Sequence, residues 1–110
     1  MPLSSKLFRD NERLQAAAVQ DQSHITPGAS GEHVRLIQRT LGYLGIPGVS
    51  GREYTEATYG PTTSNAVLRY KTMRGIINRS YQSAPDNIVG KMTIAALDAE
   101  MLRIEASPAR

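Results

Sequence analysis

Asn78, Arg79, Ser80, Tyr81 and Gln82 gather two side-chain amides, a guanidinium, a hydroxyl and a phenol ring in one short stretch. A ring face that stacks on a sugar, flanked by amide and guanidinium donors, is chemistry that holds a saccharide without altering it. Asn87 and Lys91 follow closely, giving a candidate ligand-binding set of Asn78, Arg79, Tyr81, Gln82, Asn87 and Lys91. The competing reading is a polar connector whose Tyr81 packs back onto its neighbours. Charge is uneven in the same part of the chain: no Asp or Glu occurs from Ala57 through Pro85, whereas Arg69, Lys71, Arg74 and Arg79 do. Residues two apart on a helix diverge by roughly 200°, so these cations are expected to form a flanking basic rim rather than one stripe. Such a rim suits carboxylates or phosphates, met by paired Arg donors; a solvated helix face accounts for the same residues.

Side chains that do covalent chemistry are sparse. There is no cysteine, which removes disulfides, a thiol nucleophile and every Cys-based metal site. His24 and His33 are separated by a Pro-Gly turn and belong to no His-Glu-x-x-His pattern. Glu32 and His33 are adjacent, and so point to different sides of a helix. Asp98 and Glu100 are two apart and diverge, which does not make an acid–base pair. The serines lack a nucleophile-elbow setting. The expectation is therefore no catalytic residue, no metal and no cofactor.

The elements that must carry the candidate set are helical. Val34, Ile37, Leu41 and Leu44 fall on one helix face after Gly28-Ala29-Ser30-Gly31, with Arg35 and Arg39 facing water, and Gly45 with Pro47-Gly48 ends the run. A second helix begins at Pro61, which tolerates the first helical position because it lacks the N–H that would be orphaned there. Its stripe is Ala66, Val67, Tyr70 and Met73, with Gly75 as C-terminal cap. A third follows Gly90, with Ile94, Leu97, Met101 and Ile104 inward and Asp98, Glu100, Arg103 and Glu105 on its polar face. A weaker front helix spans residues 10–20, with Asp10 or Asn11 as cap. Residues 1–9 and 105–110 are expected to fray. Two irregular loops, 46–58 and 76–88, join the main helices, and residues 76–82 offer a short strand to pair with part of the first. The expected core is Leu14, Val34, Ile37, Leu41, Leu44, Tyr59, Ala66, Val67, Tyr70, Ile88, Val89, Ile94, Leu97 and Met101. Of the five tyrosines, Tyr43, Tyr54 and Tyr81 are those expected at the surface.

Tyr59-Gly60-Pro61-Thr62-Thr63-Ser64-Asn65-Ala66-Val67 and Val89-Gly90-Lys91-Met92-Thr93-Ile94-Ala95-Ala96-Leu97 both read apolar-Gly-x-x-Thr-x-x-Ala-(Val/Leu). The pattern reads as a helix start: a turning glycine, a Thr hydroxyl reaching back to unpaired N–H groups, and an apolar staple residue in front. Gly28-x-x-Gly31-x-x-Val34 is a looser third copy. Together with Leu36-Ile37-Gln38, Ala66-Val67-Leu68-Arg69-Tyr70-Lys71 and Asp86-Asn87-Ile88-Val89-Gly90-Lys91-Met92-Thr93, this series resembles the peptidoglycan-binding-like domain family over about residues 28–102. That family's pattern has Phe where Tyr59 stands, Phe-Gln where Tyr70-Lys71 stand and Gly where Asn87 stands, and its connector is shorter than residues 76–85. The resemblance implies a compact three-helix module, not an enzyme, of the kind appended to cell-wall hydrolases to hold them on murein.

The chain of 110 residues, 40% apolar and 21% charged with net charge +3, suits one all-α domain with a single modest core. It divides into an N-terminal helix and lead-in over 1–27, the peptidoglycan-binding-like domain over 28–104 and a tail over 105–110. No apolar stretch resembles a secretory signal or a membrane span, so the chain is expected to be cytoplasmic as synthesised, and exported, if at all, by a specialised route. Acidic residues spread over the first and third main helices argue against nucleic acid. The expected function is non-catalytic binding of peptidoglycan or its fragments (muropeptides), as a targeting or accessory module for a separate cell-wall hydrolase. The alternative is a protein-interaction or adaptor module, for example of a secretion system, that keeps the fold but not the glycan.

Overall fold

The computed structural model describes residues 3–20, 23–77 and 86–106. They form an all-α fold of five helices in the order α1 (Glu12–Val19), α2 (Glu32–Tyr43), α3 (Gly51–Glu56), α4 (Pro61–Arg74) and α5 (Lys91–Ala106). Local chemistry explains most boundaries. Asn11, in an extended conformation, accepts the Leu14 N–H through its side chain at 3.0 Å and so starts α1. Two helices stop in the same way. Gly45 and Gly75 adopt positive φ (76° and 68°), a conformation that an L side chain resists. The following Ile46 and Ile76 then donate their N–H groups to the carbonyls of Leu41 and Lys71, both at 2.9 Å.

α2, α4 and α5 bury the stripes read from the sequence: Val34, Ile37 and Leu41; Ala66, Val67 and Tyr70; Ile94, Leu97 and Met101. Leu14, Tyr59 and Val89 are also buried, whereas Leu44 and Ile88 are only half-buried. Leu3, Phe8, Ile25, Leu36, Ile46 and Ile76 join the same core beyond the expected set. Met73 and Ile104, expected inward, are exposed.

Residues 3–9 are not a frayed end. Leu3 and Phe8 are fully buried, and the segment lies against α5 because two carboxylates there collect its backbone N–H groups. Asp98 accepts from Ser4 (3.0 Å) and Ser5 (2.9 Å), and Glu105 from Lys6 (2.7 Å) and Leu7 (3.0 Å). Asp98, read as a polar-face residue, is thereby almost wholly buried. At the other end α5 continues through Ala106, and the rest of the expected tail lies outside the described residues.

The first connection is not irregular throughout, since it contains α3, started by Ser50, whose hydroxyl accepts the Glu53 N–H at 3.1 Å. Most of the stretch expected to pair between the two loops falls among residues that are not described. Among the described residues, the extended contacts join the lead-in to the residues just before α4 and α5. Ile25 and Val89 exchange both backbone bonds at 2.9 Å; Gly28 donates to Tyr59, and Tyr59 to Ala29, each at 2.8 Å. The apolar residue that opens each copy of the repeat is thus tied down by its main chain as well as by burial. Residues 78–82 of the second loop lie outside the described residues.

Candidate functional site

Of the candidate set, Asn78, Arg79, Tyr81 and Gln82 lie outside the described residues. Asn87 and Lys91 are at the approach to α5: Asn87 is half-buried, its carbonyl accepting the Tyr59 hydroxyl, and Lys91 is exposed in the first turn. Neighbouring polar groups are committed to structure. Lys71, expected in a basic rim, is 5% exposed and donates to Asp86 Oδ1 at 2.5 Å and to the Ile88 carbonyl at 2.9 Å. Its fellow Arg74 forms a two-pronged pair with Glu100 (2.9 and 2.7 Å) and lies 5.1 Å over the Tyr70 ring. Arg69 is exposed and Arg79 lies outside the described residues; for Arg74, α5 supplies the carboxylate that the sequence lacks between residues 57 and 85.

Tyr70 completes that cluster by donating to Glu100 Oε2 at 2.5 Å. Burial, reinforced by the Glu100 charge, pushes the Tyr70 phenol up, while the Arg74 hydrogen bond holds the Glu100 carboxyl below its usual range. Tyr70→Phe removes one hydrogen bond to a charged acceptor that Arg74 still neutralises. It is expected to cost about 1 kcal/mol of stability, measured by urea denaturation.

A groove of about 740 Å³ opens elsewhere, between the C-terminal half of α2, the glycine-rich turn 45–51 and α3. That volume is within the range of small-molecule sites. Gln38 and Ile46 form its buried floor, Arg39 and Tyr54 its half-buried walls, and Tyr43, 58% exposed, its rim. The turn is shaped by the Gly45–Ile46 helix stop and anchored by Ser50, whose N–H donates to Thr62 Oγ1 at 2.9 Å.

α3 is locked to its neighbours through Glu53. The Glu53 carboxylate accepts from the N–H groups of Gly60 (3.2 Å), Thr62 (3.0 Å) and Thr63 (2.8 Å) and from the Thr63 hydroxyl (2.8 Å). It therefore caps α4, where the sequence reading assigned that work to Thr63 itself. Gly60 sits in ordinary extended backbone (φ −101°), so its lack of a side chain serves space rather than flexibility. A Cβ there would stand 2.7 Å from the Glu53 carboxylate. Burial works to raise the Glu53 carboxyl, but the donors at Thr62 and Thr63 outweigh it and hold the group at about 2, against an ordinary 4.5.

Gln38 ties α2 into the same cluster, donating through Nε2 to the carbonyls of Glu53 (3.3 Å) and Thr58 (2.9 Å) and to Thr63 Oγ1 (3.0 Å). Its buried Oε1 accepts no hydrogen bond among the described residues. Turning the amide over would aim that oxygen at two carbonyls, so the orientation stands, with the oxygen sealed from solvent beneath the groove. Outside the groove lining, Arg35 fixes α3 by donating to the carbonyls of Tyr54 (3.2 Å) and Thr55 (2.8 Å) and lies 5.8 Å over the Tyr54 ring. Arg39 donates through Nε to the Tyr54 hydroxyl at 3.2 Å.

The sequence reading flagged Tyr43 and Tyr54 as surface rings, but took Arg39 as merely solvated and gave Gln38 no role. The groove's lining pairs no carboxylates and holds no histidine. Among the described residues no group of three His, Asp or Glu side chains is arranged to hold a metal ion, and no helix is long and apolar enough to cross a membrane. No family model, curated protein or solved structure matches this chain, so its functional reading rests on its own residues.

Proposed function

We propose that the chain is a non-catalytic module that binds peptidoglycan or its fragments and serves as a targeting or accessory partner of a cell-wall-active protein. The observation that carries this reading is the α2–α3 groove: an exposed tyrosine ring on the rim, with a guanidinium and a second ring held together on the walls. Those groups bind a sugar–peptide polymer, and the lining offers no acid–base pair to cleave one. The helix-start repeat and the likeness of residues 28–102 to peptidoglycan-binding-like domains support the same reading. Asn78, Arg79, Tyr81 and Gln82, with Asn87 and Lys91 beside them, provide similar chemistry as a second contact.

Co-sedimentation with purified murein sacculi tests the reading. The module is expected in the pellet at moderate salt, with no soluble muropeptide released over hours of incubation. Loss of the module to the supernatant at every salt concentration overturns the reading and favours the protein-interaction alternative. Release of muropeptides overturns its non-catalytic part.

A further inference from the structure

Resting on that reading, the geometry points to Arg39 as the recognition residue for a carboxylate: the groove takes a sugar–peptide unit by a free carboxyl group, which the outer edge of the guanidinium receives, while a sugar ring lies on Tyr43. Arg39 contributes the only ionic side chain in the lining, so the groove is cationic. The carboxylates nearest in sequence are engaged elsewhere: Glu53 on the start of α4, Glu32 with Arg35 at 3.2 Å and Glu56 with Arg52 at 3.3 Å. The Arg39 Nε is already given to Tyr54, which holds the planar group in place. The two terminal nitrogens donate to nothing among the described residues, and their parallel N–H bonds match the two oxygens of a carboxylate. Lysine, a point charge, would not make that match.

The occupant is therefore an anionic sugar–peptide rather than a neutral glycan. A neutral chain would leave the two terminal nitrogens to water and engage only the tyrosine rings.

Calorimetric titration with a soluble disaccharide-peptide bearing free carboxylates, and with the same compound fully amidated, tests the assignment beside co-sedimentation with sacculi. The wild-type chain is expected to bind the acid roughly ten- to a hundredfold more tightly than the amide, the gain ordinary for a paired charged hydrogen bond. Arg39→Gln is expected to erase that preference, bringing the affinity for the acid down to that for the amide, whereas loss of structure would abolish binding of both. Tyr43→Ala is expected to weaken both compounds alike. If Arg39→Gln does not fold, Arg39→Lys reads the same preference, which must fall at least severalfold.

Retention on sacculi with an acid preference that survives Arg39→Gln overturns the assignment and leaves the wall-binding reading standing. Equal binding of acid and amide by the wild-type chain does the same. Failure to bind sacculi or either compound overturns both.

Discussion

Phe8→Ala is expected to lower the unfolding free energy by about 3–5 kcal/mol, the usual cost of emptying a buried aromatic site. Phe8 is fully buried in the core shared by α1, α2, α4 and α5, although it lies in a segment without helical periodicity near the start of the chain. A frayed end would tolerate the change at no cost. Since a domain of this size is stable by only about 5–15 kcal/mol, the variant should unfold at markedly lower urea, with an unchanged dependence on denaturant. Asp98→Asn provides an independent check, because it weakens the capture of the Ser4 and Ser5 N–H groups without touching the ring. A Phe8→Ala midpoint equal to wild type would show that residues 3–9 are not part of the folded unit.

Glu53→Gln is expected to cost about 2–3 kcal/mol at neutral pH, from the loss of charged hydrogen bonds at the start of α4, and to lower Tm by roughly 10 °C. The pH dependence identifies the cause. The folded carboxyl lies at about 2, below the ordinary 4.5. The stability it contributes is therefore complete above pH 4.5 and is lost as pH falls from there toward 2. The wild-type advantage over Glu53→Gln, read by denaturation at a series of pH values, should be constant near neutrality and shrink through that window. Gly60→Ala should reproduce much of the loss, because its Cβ displaces the carboxylate. An advantage that stays level down to pH 2 would remove Glu53 from the cap.

The parts of the fold legible in the sequence are those decided locally. Spacings of three and four residues fixed the inward faces of α2 and α4, and Pro61, Gly45 and Gly75 marked helix ends through their own backbone restrictions. The missed parts depend on partners distant in the chain. Nothing near Ser4 or Lys6 announces that Asp98 and Glu105 receive their N–H groups. The Gly-x-x-Thr repeat was visible, yet what crowds its glycines lies outside it: the Glu53 carboxylate at Gly60 and the His24 ring at Gly90. Ile46 and Ile76 did carry a signal, since an apolar residue directly after a helix-stopping glycine commonly folds back onto the helix. Helix α3 was obscured because its six residues make fewer than two turns and bury no side chain that could mark an inward face.

The candidate site divides in the same way. Tyr43 and Tyr54 are recognisable as surface rings from their places in the pattern. That Arg39 and Gln38 share a groove with them follows only from the turn at 45–51 bringing α3 back beside α2. Lys71 and Arg74 are paired rather than free because charge counted along the chain ignores carboxylates that arrive from elsewhere in the fold, as Glu100 does for Arg74.

The most direct test of the account is a map of backbone amide shifts during titration with a soluble, carboxylate-bearing disaccharide-peptide. The account predicts saturable shifts concentrated at residues 38–54, strongest around Arg39, Tyr43 and the turn at 45–51, with the ligand recovered intact. Shifts confined to residues 78–91, or no saturable shift at millimolar ligand, would contradict it.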